Sequence, residues 1–277
     1  MNTRKLLTRG ALNVAALIVF ACSAFPVYWM VNTSLLPGSA IKGDTVHLWP
    51  DQFTLRNYAS AWDGGFLPAL KVSLSATLIT LVVALLFAFM AALALSRFKF
   101  RSRKSIIVLV LVIQMIPAEA LIISTFRVLD GWHALNTVLG LAGVYIAMVL
   151  PFTIWTLRGF VNGVPADLEE AAMIDGCSRS GAFWRITFPL LAPGLVATGV
   201  FAFIQAWNEF VFALVIMTRP ESQTLPIWLR TFVQATKATD WAVVMAGSTL
   251  MAIPVVIFFL IVQGRMTSSM VSGAVKG

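Results

Sequence analysis

The chain has 277 residues, of which 59% are hydrophobic and only 12% are charged. A soluble globular protein carries about 25% charged residues, so this composition argues against a soluble enzyme. The two cysteines are also too few for a disulfide-stapled chain. A formal net charge of +8 is typical of proteins that bind nucleic acid or an anionic membrane surface. The distribution of the charges has to decide between these two partners.

Six stretches with almost no charge are each long enough to cross a bilayer, which takes about 20 helical residues. The alternating pattern of a membrane-spanning strand is absent, so the sequence predicts helical spans. In chain order the predicted spans cover residues 12–36, 72–96, 105–126, 136–157, 193–217 and 241–262. We therefore predict an all-α membrane protein with six transmembrane helices, forming a single membrane domain over residues 1–277.

Lys and Arg residues are shared unequally between the segments that connect the spans. If the N-terminus is cytoplasmic, most of them fall in the inside segments 1–11, 97–104, 158–192 and 264–277. The positive-inside rule then predicts that both termini are cytoplasmic. The run from Arg97 to Lys104 is the strongest part of this bias, and its place between two spans indicates a topology signal rather than a nucleic-acid site.

The sequence supports neither a disulfide nor a metal site. Cys22 lies in a predicted span and Cys177 in a predicted cytoplasmic segment, which makes a bond between them improbable. His47 and His133 lie in separate loops and have no partner at metal-ligand spacing. We therefore expect no metal and no disulfide in this chain.

The segment 158–192 departs from the basic pattern of the other inside segments, because four acids lie close together at Asp167, Glu169, Glu170 and Asp175. Proline followed by acids is typical of a helix start, and Gly176 is a suitable residue just beyond a helix end. One predicted apolar face comprises Leu168, Ala171, Ala172 and Ile174. A second short helix is predicted to start at Ser178 or Ser180, before Pro189 and Pro193 lead into the fifth span.

Two interpretations of this helical hairpin remain open from the residues alone. It is either an interfacial connection between two spans or a docking element for a protein with a basic groove. The acids favour docking, because the cytoplasmic leaflet is itself negatively charged.

The order of short motifs along the chain resembles the permease subunits of ABC importers. Glu170-Ala171-Ala172, with Asp175 and Gly176 and then Ile186 and Pro189, resembles their EAA motif, although Phe188 stands where leucine is usual. Further segments are similar to the smaller permease subunit of maltose-type carbohydrate importers: Pro50, Phe53, Thr54, Asn57 and Tyr58; residues 135–137 with 140–141; 151–152 with 157–160; 206–210; and 272–277. The resemblance covers most of the chain.

This resemblance implies a non-catalytic subunit of a sugar importer in a bacterial inner membrane, with a di- or oligosaccharide as the expected cargo. A second permease subunit would complete a heterodimer, two ATPase subunits would bind ATP and Mg²⁺, and an external binding protein would deliver the sugar. Glu170, Ala171, Ala172, Asp175 and Gly176 would form the helix that couples to the ATPase. The chain itself would bind no cofactor, which agrees with its lack of a G-x-x-x-x-G-K-[S/T] phosphate loop.

Polar side chains inside the predicted spans are candidates for lining a transport pathway. They are Gln114, Glu119, Gln205, Trp207, Asn208 and Glu209, of which Trp207 is suited to stacking on a sugar. On straight helices, Glu119 and Glu209 would both lie in the outer half of the membrane. An alternative role for Asn208 and Glu209 is to tie helices together or to snorkel to the membrane surface.

A self-sufficient proton-coupled transporter, with Glu119 and Glu209 as proton carriers, is the alternative function. The acidic hairpin favours the importer, because a self-sufficient carrier has no evident need for a docking element. An intramembrane enzyme lacks support, since neither an H-E-x-x-H helix nor a serine-centred nucleophile motif is present. The sequence does not identify the sugar.

Overall fold

The structure is a computed structural model that describes the backbone of residues 3–43, 45–233 and 239–274, and the side chains of these ranges between residues 11 and 264. Within these ranges every regular element is a helix, as predicted. Five helices are long and apolar enough to cross a membrane, and the count is six if one sharply bent pair of helices forms a single span.

The helices follow one another in a simple order along the chain. They are α1 (Thr3–Ser34), α2 (Gly38–Ile41), α3 (Arg56–Ala61), α4 (Leu67–Arg97), α5 (Arg103–Gln114), α6 (Ile122–Gly131), α7 (Val138–Gly163), α8 (Asp167–Ile174), α9 (Arg179–Ala182), α10 (Phe188–Trp207), α11 (Val211–Ile216), α12 (Leu225–Arg230) and α13 (Trp241–Ala274). Turns of π-helix at Trp62–Phe66 and Phe183–Thr187 join α3 to α4 and α9 to α10, and 3₁₀ turns cover Ala118–Leu121 and Pro220–Ser222.

The predicted third span, 105–126, is not one continuous helix. It divides into α5 and, after the 3₁₀ turn, α6, and the two parts are bent by 89°. The chain leaves the helix at Met115–Pro117, where Pro117 has no N–H to donate and restricts the residue before it. The prediction treated the uniform hydrophobicity of the segment as a single element and overlooked this proline.

The predicted fifth span, 193–217, also differs from the structure at both ends. Ser178 caps α9 by accepting a hydrogen bond from the Gly181 N–H at 3.1 Å, and α9 then continues through the π turn into α10. The separate second helix predicted before Pro189 is therefore the first part of a helix that runs to Trp207. Pro189 lies just beyond the π turn, where the helical hydrogen-bond pattern changes and a residue without an N–H can be accommodated.

Two compact units divide the chain, and the first comprises residues 3–67 and 228–253 of the described chain. In it the Asn57 side-chain amide donates to the carbonyls of Ser34 and Leu36, both at 2.8 Å, and so ties α3 to the end of α1. The indole N–H of Trp228 donates to the Gly64 carbonyl at 2.9 Å. Most large apolar side chains of α1 are exposed, as expected for a helix in contact with lipid or a partner.

The second unit comprises residues 68–227 and 254–274 and contains the densest packing. Ala84, Ala88 and Ala92 of α4 are each fully buried, and this stripe of small residues lets neighbouring helices approach closely. Leu157, Val161 and Leu191 pack against that stripe, which joins α4, α7 and α10. These three helices form the frame that positions both candidate sites described below.

Candidate functional site

The helix α8 begins and ends where the sequence predicts. Asp167, Glu169 and Glu170 occupy its first turn, where acids oppose the partial positive charge of the helix N-terminus. Gly176 has φ +90°, its N–H donates to the Met173 carbonyl at 3.1 Å, and the Cys177 N–H donates to the Ala172 carbonyl at 3.0 Å. This pair of hydrogen bonds is a Schellman motif, and glycine at the left-handed position permits it without strain.

The two sides of α8 have different surroundings. Ala172 is buried and Glu169 is half-buried, whereas Ile174 is 87% exposed. We call the side formed by Asp167, Glu170, Ala171 and Ile174 the exposed face of α8. The predicted apolar face is therefore mostly exposed, because among its four residues only Ala172 is buried.

The inward side of α8 is held by a charged contact that the sequence analysis missed. Glu169 forms a salt bridge with Arg97 at 3.2 Å and accepts a hydrogen bond from the Thr187 hydroxyl at 2.8 Å. Arg97 also donates to the Val164 carbonyl at 3.1 Å. Glu170 is exposed, and its carboxylate forms no ion pair with any described residue. Of these two neighbouring acids, Glu169 is therefore bound inside the chain, whereas Glu170 has no ion-pair partner among the described residues.

A cavity of about 1330 Å³ lies in the second unit, beside α5, α6, α7, α10 and α11. It brings together most of the predicted pathway residues, because Gln114, Glu119, Gln205, Asn208 and Glu209 all line it. Its lining contains no Lys or Arg among the described residues, and His133 is its one basic side chain. The cavity therefore combines amide groups and two carboxylates with a largely apolar wall.

Trp207 is the predicted pathway residue that does not line this cavity. It is 2% exposed and lies in the core, where its ring stacks on Phe203 with centroids 5.6 Å apart. Its neighbours in sequence point elsewhere because successive residues of a helix are about 100° apart. The predicted role of Trp207 in stacking on a sugar is not supported by this position.

Glu209 and Asn208 hold the chain together where α10 ends. The two carboxylate oxygens of Glu209 accept hydrogen bonds from the N–H groups of Phe212 at 2.7 Å and Ala213 at 3.0 Å, which caps α11. The Asn208 side-chain amide donates to the Ile204 carbonyl at 2.9 Å. Glu209 therefore joins the end of α10 to the start of α11, whereas the hydrogen bond of Asn208 stays within the last turn of α10, and both side chains also line the cavity.

Both acids of the cavity follow a break in a helix, so the depth expected for them on straight helices does not apply. Glu119 lies in the 3₁₀ turn after the α5 break, and Glu209 lies between α10 and α11. Irregular backbone is tolerated at membrane depth where it is buried in protein or lines a water-filled space. Both breaks border the same cavity, and we expect that space to be hydrated.

We predict that a cysteine introduced at Gln205 reacts with water-soluble thiol reagents. Gln205 is exposed and lines the cavity, whereas Ala202, on the same helix, is fully buried. In a background of Cys22→Ser and Cys177→Ser, Gln205→Cys should be labelled and Ala202→Cys should be protected. Because the cavity carries two carboxylates, a cationic reagent should react faster than an anionic one after correction for intrinsic reactivity.

Equal labelling of Gln205→Cys and Ala202→Cys, or protection of both, would contradict a hydrated cavity. Labelling rates are measured by mass spectrometry on membranes that contain the intact chain.

Comparison with known proteins gives consistent matches over nearly the whole chain. A family model described as "Binding-protein-dependent transport system inner membrane component" matches residues 84–271. The chain is 41% identical over 275 residues to the diacetylchitobiose uptake system permease protein DasC of Streptomyces coelicolor, an alignment that covers 99% of each chain. It is 34% identical over 262 residues to the trehalose transport system permease protein SugB of Mycobacterium tuberculosis, covering 94% of this chain and 95% of that one.

The fold is also found in a solved structure. A chain of a bacterial ABC transporter involved in the import of the acidic polysaccharide alginate superposes with a TM-score of 0.75, covering 95% of this chain and 98% of that chain. The two sequences are 22% identical, so this match concerns the fold alone.

Proposed function

This chain belongs to the family of binding-protein-dependent transport system inner membrane components, and we propose that it is the pathway-forming permease subunit of an ATP-driven sugar importer. The resemblance to ABC-importer permeases indicated by the sequence motifs is confirmed by this membership. The family match and the apolar helices agree with a multi-pass protein of the inner membrane. Both termini are proposed to be cytoplasmic, on the strength of the distribution of Lys and Arg.

The proposed cargo is a sugar of two or more units. Two relatives that align over almost the whole chain are named for the uptake of diacetylchitobiose and trehalose, which are different disaccharides. A cavity of about 1330 Å³ with amide and carboxylate groups on a largely apolar wall suits a ligand that has both hydroxyl groups and apolar ring faces. Gln114, Glu119, Gln205, Asn208 and Glu209 are the proposed pathway-lining residues.

Coupling to an ATPase is proposed to occur through α8. The single observation that supports this proposal is that one side of α8 is bound inside the chain and the other is exposed. One side is anchored inside the chain by Glu169, while the exposed face presents Glu170 and Ile174 without a partner among the described residues. An acid beside exposed apolar surface fits a protein groove that has basic and apolar parts. Asp175 and Gly176 end the helix, and Ala171 is small enough to permit close approach.

The proposed partners follow from what this chain does not supply. ATP and Mg²⁺ are proposed to be bound by two ATPase subunits, because the chain has no phosphate loop. A second permease subunit is proposed to pack against exposed apolar residues, such as Val108 and Val112 of α5 and Met115 just beyond its end. An external sugar-binding protein is proposed to deliver the cargo, in keeping with the description of the family.

A proton-coupled carrier is not favoured by the geometry. Both carboxylate oxygens of Glu209 already accept hydrogen bonds from backbone N–H groups at the start of α11, so this acid has a structural role that does not require proton transfer. The exposed face of α8, which has no partner among the described residues, also has no evident role in such a carrier.

Reconstitution tests the proposal. The chain is co-expressed with its neighbouring transport genes, purified through a tag on this chain, and placed in liposomes. We expect ATPase subunits to co-purify and radiolabelled disaccharide to enter only when ATP and the external binding protein are both present. A chain that purifies without an ATPase and transports sugar when driven by a proton gradient would overturn the proposal.

A further inference from the structure

Groups from four segments of the second unit meet in a charged cluster at the end of α4, which we call the joint. Arg97 lies at the C-terminus of α4, Glu169 on α8, Thr187 in the π turn before α10, and Val164 in the connection after α7. One guanidinium nitrogen of Arg97 lies 3.2 Å from a carboxylate oxygen of Glu169 and 3.1 Å from the Val164 carbonyl oxygen. The same Glu169 oxygen accepts from the Thr187 hydroxyl at 2.8 Å.

The joint is partly shielded from solvent. The side chains of Arg97 and Glu169 are 20% and 21% exposed, and Thr187 is fully buried. A charge-assisted hydrogen bond is stronger than a neutral one, and water screens a shielded pair less than a surface pair. Beside it, the ring of Trp184 in the π turn packs against Phe188 at the start of α10, with centroids 4.8 Å apart. Polar contacts therefore link α8 to α4 and to the π turn that leads into α10.

Arg97 has a different environment from Arg101, another arginine of the same basic run. Arg101 is exposed, as expected for a residue that sets topology or meets lipid headgroups, whereas Arg97 is bound inside the chain. The sequence pattern assigns these two arginines the same role, and the structure separates them.

We infer that Arg97, Glu169 and Thr187 are positioning residues that convey displacement of α8 to the membrane helices α4 and α10. This inference rests on the proposed function, because it assigns the route by which a partner bound to the exposed face of α8 acts on the pathway. Glu170 meets the partner and Glu169 transmits the movement. Loss of the joint then leaves docking intact and weakens the coupling between ATP hydrolysis and transport.

The test uses the complete importer, with this chain at full length, its partner subunits and its binding protein, in liposomes. Sugar uptake and ATP hydrolysis are measured together and expressed as sugar moved per ATP. The informative variants are Glu169→Gln, which removes the charge, and Thr187→Val, which removes a hydroxyl at nearly constant volume. The matched controls are Thr187→Ser, which retains the hydroxyl, and Arg101→Gln, an exposed arginine of the same run.

Both informative variants are expected to move roughly twofold to tenfold less sugar per ATP. The two controls should match the wild type, and ATPase subunits should co-purify with all four variants. The inference is overturned if Glu169→Gln and Thr187→Val keep the wild-type ratio, or if both only fail to accumulate in the membrane, which would mark a role in folding. In either case the proposed function stands as long as the wild type couples; it fails if the wild type shows no ATP-driven uptake.

Discussion

Replacement of Glu170 by arginine is expected to reduce ATP-driven uptake at least about tenfold, because reversing a charge at a complementary interface costs several kcal/mol and each 1.4 kcal/mol is a factor of ten. Glu170 is exposed and has no ion-pair partner among the described residues, so the change removes no internal contact of the chain. Glu169 keeps its salt bridge with Arg97, and α8 is expected to stay in place. The loss should therefore arise at the interface with the ATPase.

Uptake by intact cells, the level of the chain in membranes and the recovery of the ATPase on purification are the measurements. Asp130→Arg is the matched control, because Asp130 is an exposed acid at the end of α6, outside α8 and outside the lining of the cavity. Glu170→Gln should have an intermediate effect, since it removes the charge without reversing it. Wild-type uptake by Glu170→Arg at a normal membrane level would refute the docking role of the exposed face.

Gly140→Ala is expected to destabilise the chain by about 1–3 kcal/mol, the usual cost of overpacking a tight site. Gly140 lies in the first turn of α7, where its N–H donates to the Thr137 hydroxyl oxygen at 3.0 Å. A methyl group there would clash with the Ala134 carbonyl oxygen and lie 3.0 Å from Thr137 Oγ1. A backbone carbonyl cannot move aside as the end of a flexible side chain can, so the start of α7 would have to shift.

The midpoint of thermal unfolding of the detergent-purified chain measures this effect. Gly159→Ala is the matched control on the same helix, because a Cβ at Gly159 meets nothing within 4 Å. The control should unfold at or slightly above the wild-type temperature, since alanine favours helix over glycine by about 0.5–1 kcal/mol. Equal midpoints for the two variants would show that the close approach at Gly140 does not constrain the fold.

Local chemistry made part of the architecture predictable. Long uncharged stretches correspond to α1, α4, α7 and α13, because crossing hydrocarbon requires about 20 apolar residues whatever the rest of the fold does. The end of α8 was predictable for a similar reason, since Gly176 tolerates a positive φ that other residues adopt at a cost. The breaks after Gln114 and Trp207 were missed, because hydropathy does not distinguish a broken span from a straight one.

The sequence predicted which polar residues line the cavity in most cases, but it did not predict the direction of each side chain. Polar groups inside apolar spans indicate a lined space, and Gln205 and Glu209 do line one. The burial of Trp207 could not be predicted, because its direction depends on where α10 packs. The same limit applies to Glu209, whose capping of α11 depends on the helix ending just before it.

The sequence by itself determined the membrane class, the helical fold and the family, since each depends on residue types and spacings that can be read along the chain. The tertiary structure decided that Glu169 is bound inside the chain, whereas the adjacent Glu170 is exposed and has no ion-pair partner among the described residues. Arg97 meets Glu169 only because the end of α4 lies close to the end of α7, which α8 follows in the chain. Such a pairing joins residues distant in the chain, and neither propensity nor hydropathy carries information about it.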